Sequence, residues 1–238
     1  MSDPREDPRQ QRRSSIVPYR PYLRDLVEGK RRWQHAPGSR PLPAASKDWH
    51  QRGYLPHRDE PGLVQFVTFR LADAIPAARR TEWQALLKIE DSPTRQRKLE
   101  DYLDRDLGAS HLRRPKVAGL VEEALRFFHG TRYELLAWVV MPNHVHVLLA
   151  QREEPLGRVV RSWKSYTGRE SNKELGCTGP FWAEDYWDTY MRNAEQARQT
   201  RHYIEGNPVK AHLVREARLW PWSSARFRDP YGRLVPPA

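Results

Sequence analysis

Tyr133-Glu134-Leu135-Leu136-Ala137-Trp138-Val139-Val140-Met141-Pro142-Asn143-His144-Val145-His146-Val147-Leu148-Leu149-Ala150 holds two runs of strand-forming residues on either side of Pro142-Asn143. Tyr133 to Met141 and His144 to Ala150 are rich in β-branched and aromatic residues, and the Pro-Asn pair favours a tight turn. The stretch therefore predicts an antiparallel hairpin. Side chains alternate between the two faces of a strand. Val145, Val147 and Leu149 thus share a face that helices can cover, and His144 and His146 share the opposite one.

The fold follows from what lies to each side of the hairpin. Upstream, Val117, Leu120, Val121, Ala124, Leu125 and Phe128 fall on one helical stripe, so Lys116 to His129 predicts an amphipathic helix that Gly130 stops. Downstream, Pro155 opens a helix at a favoured early position. Leu156, Val159, Val160, Trp163 and Tyr166 form its apolar face, and Arg158, Arg161 and Arg169 lie opposite. Leu63 to Leu71 reads as a first strand, followed by helical stretches over Thr81 to Leu87 and Arg95 to Leu107. A fourth strand is expected near Asp185 to Met191. Asn193, with Gln196 three residues on, caps a last helix that Gly206-Asn207-Pro208 should end. The order βαββαβ plus one helix predicts an α+β, ferredoxin-like antiparallel sheet, with helices on one face and an appended helix.

Composition narrows the function. Among 238 residues, 41 Lys and Arg against 30 Asp and Glu give a net charge of +11, which points to a polyanionic partner such as nucleic acid. Nine Trp, ten Tyr and six Phe argue for a folded core. The longest apolar run, Leu135 to Met141, is far short of the ~20 residues a bilayer needs. The polar, Pro-containing start shows no secretory signal. The single cysteine, Cys177, excludes an internal disulfide framework and a Cys-based zinc site, and suits a reducing compartment. Residues 1–48 read as a basic, Pro- and Arg-rich disordered arm, with a weak helix over Tyr22 to Trp33. A catalytic domain over 49–228 and a short tail over 229–238 complete the division.

Two features carry chemistry. His144 and His146 on one strand face have Cα atoms ~6.8 Å apart, close enough for both imidazoles to share one metal ion. The bland alternative is a pair of half-exposed strand histidines. On the last helix, Gln196, Gln199, Thr200 and Asn207 lie within about 60° of Tyr203 at ~100° per residue, so this tyrosine sits on a polar face. It is either an interfacial ring with a wet hydroxyl or a reactive group. Asn207 precedes a proline, which biases it away from helix and threatens its i+4 relation to Tyr203.

With both stretches in view, the chain resembles a known family. Met141-Pro142-Asn143-His144-Val145-His146-Val147 resembles the His-hydrophobic-His motif of the single-tyrosine HUH transposases of the bacterial IS200/IS605 group. Tyr203-Ile204-Glu205-Gly206-Asn207-Pro208-Val209-Lys210-Ala211 is similar to their tyrosine helix, most of all in the REP-associated tyrosine transposases. Pro61 to Leu71 and Trp220-Pro221-Trp222-Ser223-Ser224-Ala225 are similar to that subgroup too. His212 stands where that subgroup leads one to expect glycine.

The resemblance implies a metal-dependent single-stranded DNA endonuclease and strand transferase acting on hairpin or palindromic repeat DNA through a 5′-phosphotyrosine intermediate. It implies Tyr203 as nucleophile, His144, His146 and Asn207 as metal ligands, and Mg²⁺ or Mn²⁺ as the metal, with zinc the alternative. The expected partner is single-stranded or hairpin DNA, not a membrane. The expected protein is a monomer or homodimer in the bacterial cytoplasm, associated with the nucleoid. Arg158, Arg161, Lys164 and Arg169, with Arg70 and Lys210, are the candidate phosphate contacts, and Trp182 and Trp187 could stack on unpaired bases. Two rival readings are a domesticated, non-catalytic hairpin-binding protein on the same fold and a hydrolase that uses water as nucleophile.

Overall fold

The computed structural model describes residues 50–52, 55–57 and 61–235, so the expected arm over 1–48 lies outside the described residues. A small ladder of β1 (His50–Arg52) and β2 (Leu55–His57) precedes the main fold. Four strands then form one antiparallel sheet: β3 (Val64–Arg70), β4 (Tyr133–Val140), β5 (His144–Gln151) and β6 (Trp187–Tyr190), in the order β4-β5-β3-β6. With the crossover helices α3 (Pro115–Phe127) and α4 (Leu156–Leu175), this is the ferredoxin-like α+β arrangement. Two further helices, α1 (Arg80–Leu87) and α2 (Ser92–Leu103), lie between β3 and α3, and α5 (Ala194–Lys210) follows β6. α2 starts ahead of the expected Arg95 because the Asp91 side chain caps it, accepting from the Thr94 amide at 2.9 Å.

The sheet separates two cores. Val67, Phe69, Val145, Val147 and Leu149 pack with Val117, Val121 and Leu125 of α3 and Val159, Val160 and Trp163 of α4. Phe66, Val139 and Leu148, from the opposite face, pack with Ile204 of α5. The appended helix therefore closes the face that the two crossover helices leave open. Register fixes the histidines: Thr68 of β3 lies opposite His146, and Arg70 opposite His144.

One expected boundary is corrected. α5 does not stop at Gly206-Asn207-Pro208 but continues to Lys210. A proline in a helix forfeits its own backbone donor, yet the ladder resumes at once with the Ala211 amide on the Asn207 carbonyl at 2.9 Å. The end comes at His212, whose φ of +55° is left-handed. Its amide reaches Val209 O at 3.0 Å and the Leu213 amide reaches Pro208 O at 2.9 Å, the paired bonds of a Schellman cap. This accounts for the glycine expected at 212, since a residue without Cβ holds that conformation without strain.

Candidate active site

β5 carries His144 and His146 into the smaller core, where both are almost wholly buried. The two Nε2 atoms face each other at 3.0 Å. Each Nδ1 is engaged from behind: His144 Nδ1 donates to Asn143 Oδ1 at 2.7 Å, and His146 Nδ1 meets Thr68 Oγ1 at 2.8 Å. Asn143 is itself fixed, its Nδ2 donating to Leu103 O at 3.1 Å and Leu107 O at 3.3 Å. His144 therefore presents a lone pair at Nε2. The Thr68 hydroxyl both donates and accepts, so His146 can adopt either tautomer. Outer partners of this kind orient and tune imidazoles that bind metals.

Burial pushes the His144 imidazole down to about 3, with the nearby Lys210 charge adding to it. His146 is driven well below its ordinary value by burial, then by His144 and Lys210. Both rings are thus neutral, the form that binds a cation.

Tyr203, on α5, leans into this centre. Its ring lies edge-on to His146 at 5.7 Å and to Phe66 at 6.1 Å between centroids. One turn on, Asn207 Nδ2 donates to the Tyr203 hydroxyl at 3.3 Å, so the i+4 relation survives the following proline. The other amide atom, Asn207 Oδ1, is buried with no hydrogen-bond partner. Burial first, and then the Glu100 and Asp104 carboxylates, raise the Tyr203 phenol far above its ordinary value.

These atoms suit a divalent cation. Two ligands at right angles, each ~2.1 Å from one ion, lie ~3.0 Å apart, which is the separation of the two Nε2 atoms. Among the described residues no group of three His, Cys, Asp or Glu side chains could hold a metal. A third protein donor must come from elsewhere, and the orphaned Asn207 Oδ1 is a buried oxygen available for it.

Several residues that organise this centre escape a reading of motifs. Glu205 of α5 is buried and accepts from Ser224 Oγ and from Arg228 Nε, each at 2.7 Å. Arg228 Nη2 donates to Leu136 O at 2.6 Å, and the Trp138 amide donates to Ser224 Oγ at 3.1 Å. The Val140 amide donates to Trp222 O at 2.8 Å. The Trp220 to Ala225 segment, quoted above with no role attached, thus ties the tyrosine helix to β4. From α2 and its C-cap, Asp101 and Asp104 reach α5: Lys210 Nζ donates to Asp101 Oδ1 at 2.7 Å and Asp104 Oδ2 at 2.9 Å. None of these partners has a spacing in sequence that would announce it.

The candidate DNA contacts divide. Arg161, Lys164 and Arg169 line one groove of about 840 Å³ between α4 and residues 179–186, and Arg158 is half-buried on the same helix. Within that groove Lys164 Nζ donates to Glu184 O, and Arg169 pairs with Glu170 at 2.7 Å. Arg70 is engaged internally, whereas Lys210 stays half exposed and forms ion pairs at the surface. The Arg70 guanidinium lies over the Trp83 and Trp187 rings at 5.3 and 5.9 Å, with Nη1 on Leu71 O at 3.2 Å. Lys210 spans to α2 as described. Trp182 is likewise a core ring, its Nε1 donating to Thr167 Oγ1 at 2.8 Å and its edge packed on Phe69.

A ferredoxin-like sheet with a His pair on one strand, faced by a tyrosine–asparagine helix, defines the class of the domain. Residues 116–207, which include both histidines, the tyrosine and the asparagine, match the family described as Transposase IS200 like. Over 94 residues it is 30% identical to the REP-associated tyrosine transposase of Escherichia coli (strain K12). That stretch is 39% of this chain and 54% of the relative, so the chain spans about half the length of this curated protein. The structure of a REP-associated tyrosine transposase bound to a REP hairpin is similar over 79% of this chain and 88% of that one, at 20% identity and a TM-score of 0.47. Among the described residues no helix is long and apolar enough to cross a membrane.

Proposed function

We propose that this chain is a DNA transposase-like enzyme that nicks and rejoins single-stranded, hairpin-forming DNA through a covalent bond to Tyr203. The observation that carries the reading is the seating of the Tyr203 hydroxyl on Asn207, beside the two facing Nε2 atoms of His144 and His146. A hydrolase using water would have no need of a buried tyrosine at this point. A binder without catalysis would have no need of two buried histidines whose Nε2 atoms face each other at 3.0 Å.

His144, His146 and Asn207 Oδ1 would hold Mg²⁺ or Mn²⁺, which when bound offsets the charge of a scissile phosphate and orients it. Imidazoles also suit zinc, whereas an amide oxygen in the donor set favours the harder cation. The rest belongs to the chain's own groups. α5, locked to β4 through Glu205, holds Tyr203 in line with the site. Its Oη attacks phosphorus, the bond to the 3′ oxygen breaks, and a 5′-phosphotyrosyl link with a free 3′-hydroxyl results. Because that link conserves the phosphoester, another 3′-hydroxyl can displace the tyrosine and join strands. Arg158, Arg161 and Arg169 on α4 are the phosphate contacts that a +11 chain would set out.

The test is incubation with end-labelled single-stranded hairpin DNA and Mn²⁺, followed by a denaturing gel and mass spectrometry of the adduct peptide. The expected product is DNA covalently held by the peptide containing Tyr203. Binding without an adduct would favour the domesticated binder, and free cleaved DNA without an adduct would favour the water-using hydrolase.

A further inference from the structure

One buried charge plays no part in the reaction above. Asp104 is the C-cap of α2, its amide donating to Glu100 O at 2.9 Å, and its side chain is only 12% exposed. Lys210 Nζ donates to Oδ2 at 2.9 Å. Oδ1 is buried and has no hydrogen-bond partner among the described residues. An unpaired buried oxygen is costly, and more so on a charged group, so this position calls for a donor.

His144 Nε2 lies 3.9 Å from that oxygen and cannot be the donor. The ring already donates from Nδ1 to Asn143, so its Nε2 carries a lone pair, and the gap is too wide for a hydrogen bond. The same turn of chain holds the other end of the ring. Leu103 O, one residue earlier, accepts from Asn143 Nδ2, and Asn143 Oδ1 accepts from His144 Nδ1. Leu103 is anchored in the larger core and almost wholly buried. Residues 103 and 104 thus bracket His144 from both of its nitrogens, and packing, not a chance surface contact, sets where the carboxylate stands.

We infer that Asp104 is a positioning residue of the metal centre, its Oδ1 accepting a hydrogen bond from a water of the cation that His144 helps to hold. The inference rests on the metal assignment above. Asp104 does not join the direct ligands: cis ligands of one ion lie ~3.0 Å apart, and Oδ1 stands farther than that from Nε2. A small hard divalent cation gives up its waters reluctantly, so a site of two imidazoles and one amide oxygen leaves it several. Those waters are donors that need acceptors, and the orphaned Oδ1 is a buried acceptor beside one of the imidazoles. The carboxylate also brings a negative charge that two neutral rings and an amide lack. Lys210, on Oδ2, keeps it from swinging away. Carboxylates in this outer position orient a metal centre and raise its affinity.

The experiment measures Mn²⁺ binding by calorimetry on DNA-free native protein, Asp104→Asn and Asp101→Asn. Asp101 is the control, because it bonds the same Lys210 ammonium at 2.7 Å from an exposed position. Its substitution loosens the same clasp and removes the same charge. Asp104→Asn is expected to weaken Mn²⁺ about 10–100-fold, the usual effect of losing an outer partner, and Asp101→Asn should stay close to native. The electron paramagnetic resonance spectrum of bound Mn²⁺ should change in Asp104→Asn and match the native one in Asp101→Asn, a difference that loss of a clasp would not produce. Asp104→Ser removes the carboxylate with less bulk and serves if Asp104→Asn does not fold. Native affinity in the Asp104 variants, or equal losses in Asp104→Asn and Asp101→Asn, would overturn the inference while leaving the metal assignment and the nicking reading intact. A native protein that binds no Mn²⁺ would overturn the inference and the metal assignment together.

Discussion

The two faces of one sheet in this molecule do opposite work with the same strands. Toward α3 and α4, β3 and β5 present Val67, Phe69, Val145, Val147 and Leu149, with one buried polar pair at the end of that face, where Gln65 Nε2 donates to Gln151 Oε1 at 2.7 Å. Toward α5 they present Phe66 and Leu148, but also Thr68, His144 and His146. The first face is held by apolar burial, which is non-directional and tolerant of the order in which residues come. The second buries polar groups that must each find a partner, and two oxygens there, Asp104 Oδ1 and Asn207 Oδ1, have none. Stability is concentrated on one side of the sheet, and chemistry on the other.

The largest test of this division is Tyr203→Phe. Removing one hydroxyl from the polar face should lower adduct formation at least about 10⁴-fold, while unfolding free energy changes by about 1 kcal/mol or less. A denaturing gel and a urea titration read the two quantities. A variant that still forms an adduct would move the nucleophile, with Tyr190 and Tyr186 the next to examine.

On the other face, Trp163→Ala should do the reverse. Trp163 is buried among Phe69 and Tyr133 and donates from Nε1 to the Tyr133 hydroxyl at 2.9 Å. Its loss should cost about 3–5 kcal/mol of stability, yet molecules that remain folded should nick at the native rate. A stable variant with lost activity would show that the two faces are coupled more tightly than their packing implies.

Thr68→Val keeps the shape of its side chain but removes the partner of His146 Nδ1. Mn²⁺ affinity measured by calorimetry should weaken about 10–100-fold, the usual effect of losing an outer partner. Unchanged affinity would detach Thr68 from the site.

Acidification probes the histidines together with the fold. Burial holds folded His144 near 3, below the ~6.5 of an unfolded chain. The unfolded state therefore gains protons first, so this contribution is whole above pH ~6.5 and is lost as pH falls toward 3. Between pH 7 and 5 the metal-free protein should lose about 2 kcal/mol through His144, visible as a larger loss than in His144→Ala by urea denaturation. Parallel pH profiles for the two proteins would contradict the buried, neutral ring.

His212→Gly is the smallest change, and its sign is favourable. It removes a Cβ from a left-handed cap and should raise stability by about 1 kcal/mol in the same titration, with nicking unaltered.

Much of the architecture was legible because periodicity is a local property. The alternation in His144 to Ala150, the stripe in Lys116 to His129 and the Asn193 cap each lie within a few residues, and each is realised in β5, α3 and α5. The tyrosine helix showed where such rules weaken. Pro208 argued for an end at Asn207, whereas packing of Ile204 and Pro208 in the protein's interior carries the helix one turn further.

By itself, then, the sequence determined the order of elements, the face on which the histidines stand, the polar side of the tyrosine helix and the positive charge. Those features depend on backbone geometry and on neighbours within one or two turns. Only the tertiary structure decided which groups meet. It brought Thr68 and Asn143 behind the imidazoles, bound Glu205 to Ser224 and Arg228, and laid Arg70 over the Trp83 ring. Such pairs span as many as 92 positions of chain, as between Arg228 and Leu136, and their partners are chosen by burial and by the need of each buried polar group for a counterpart, which no local pattern records.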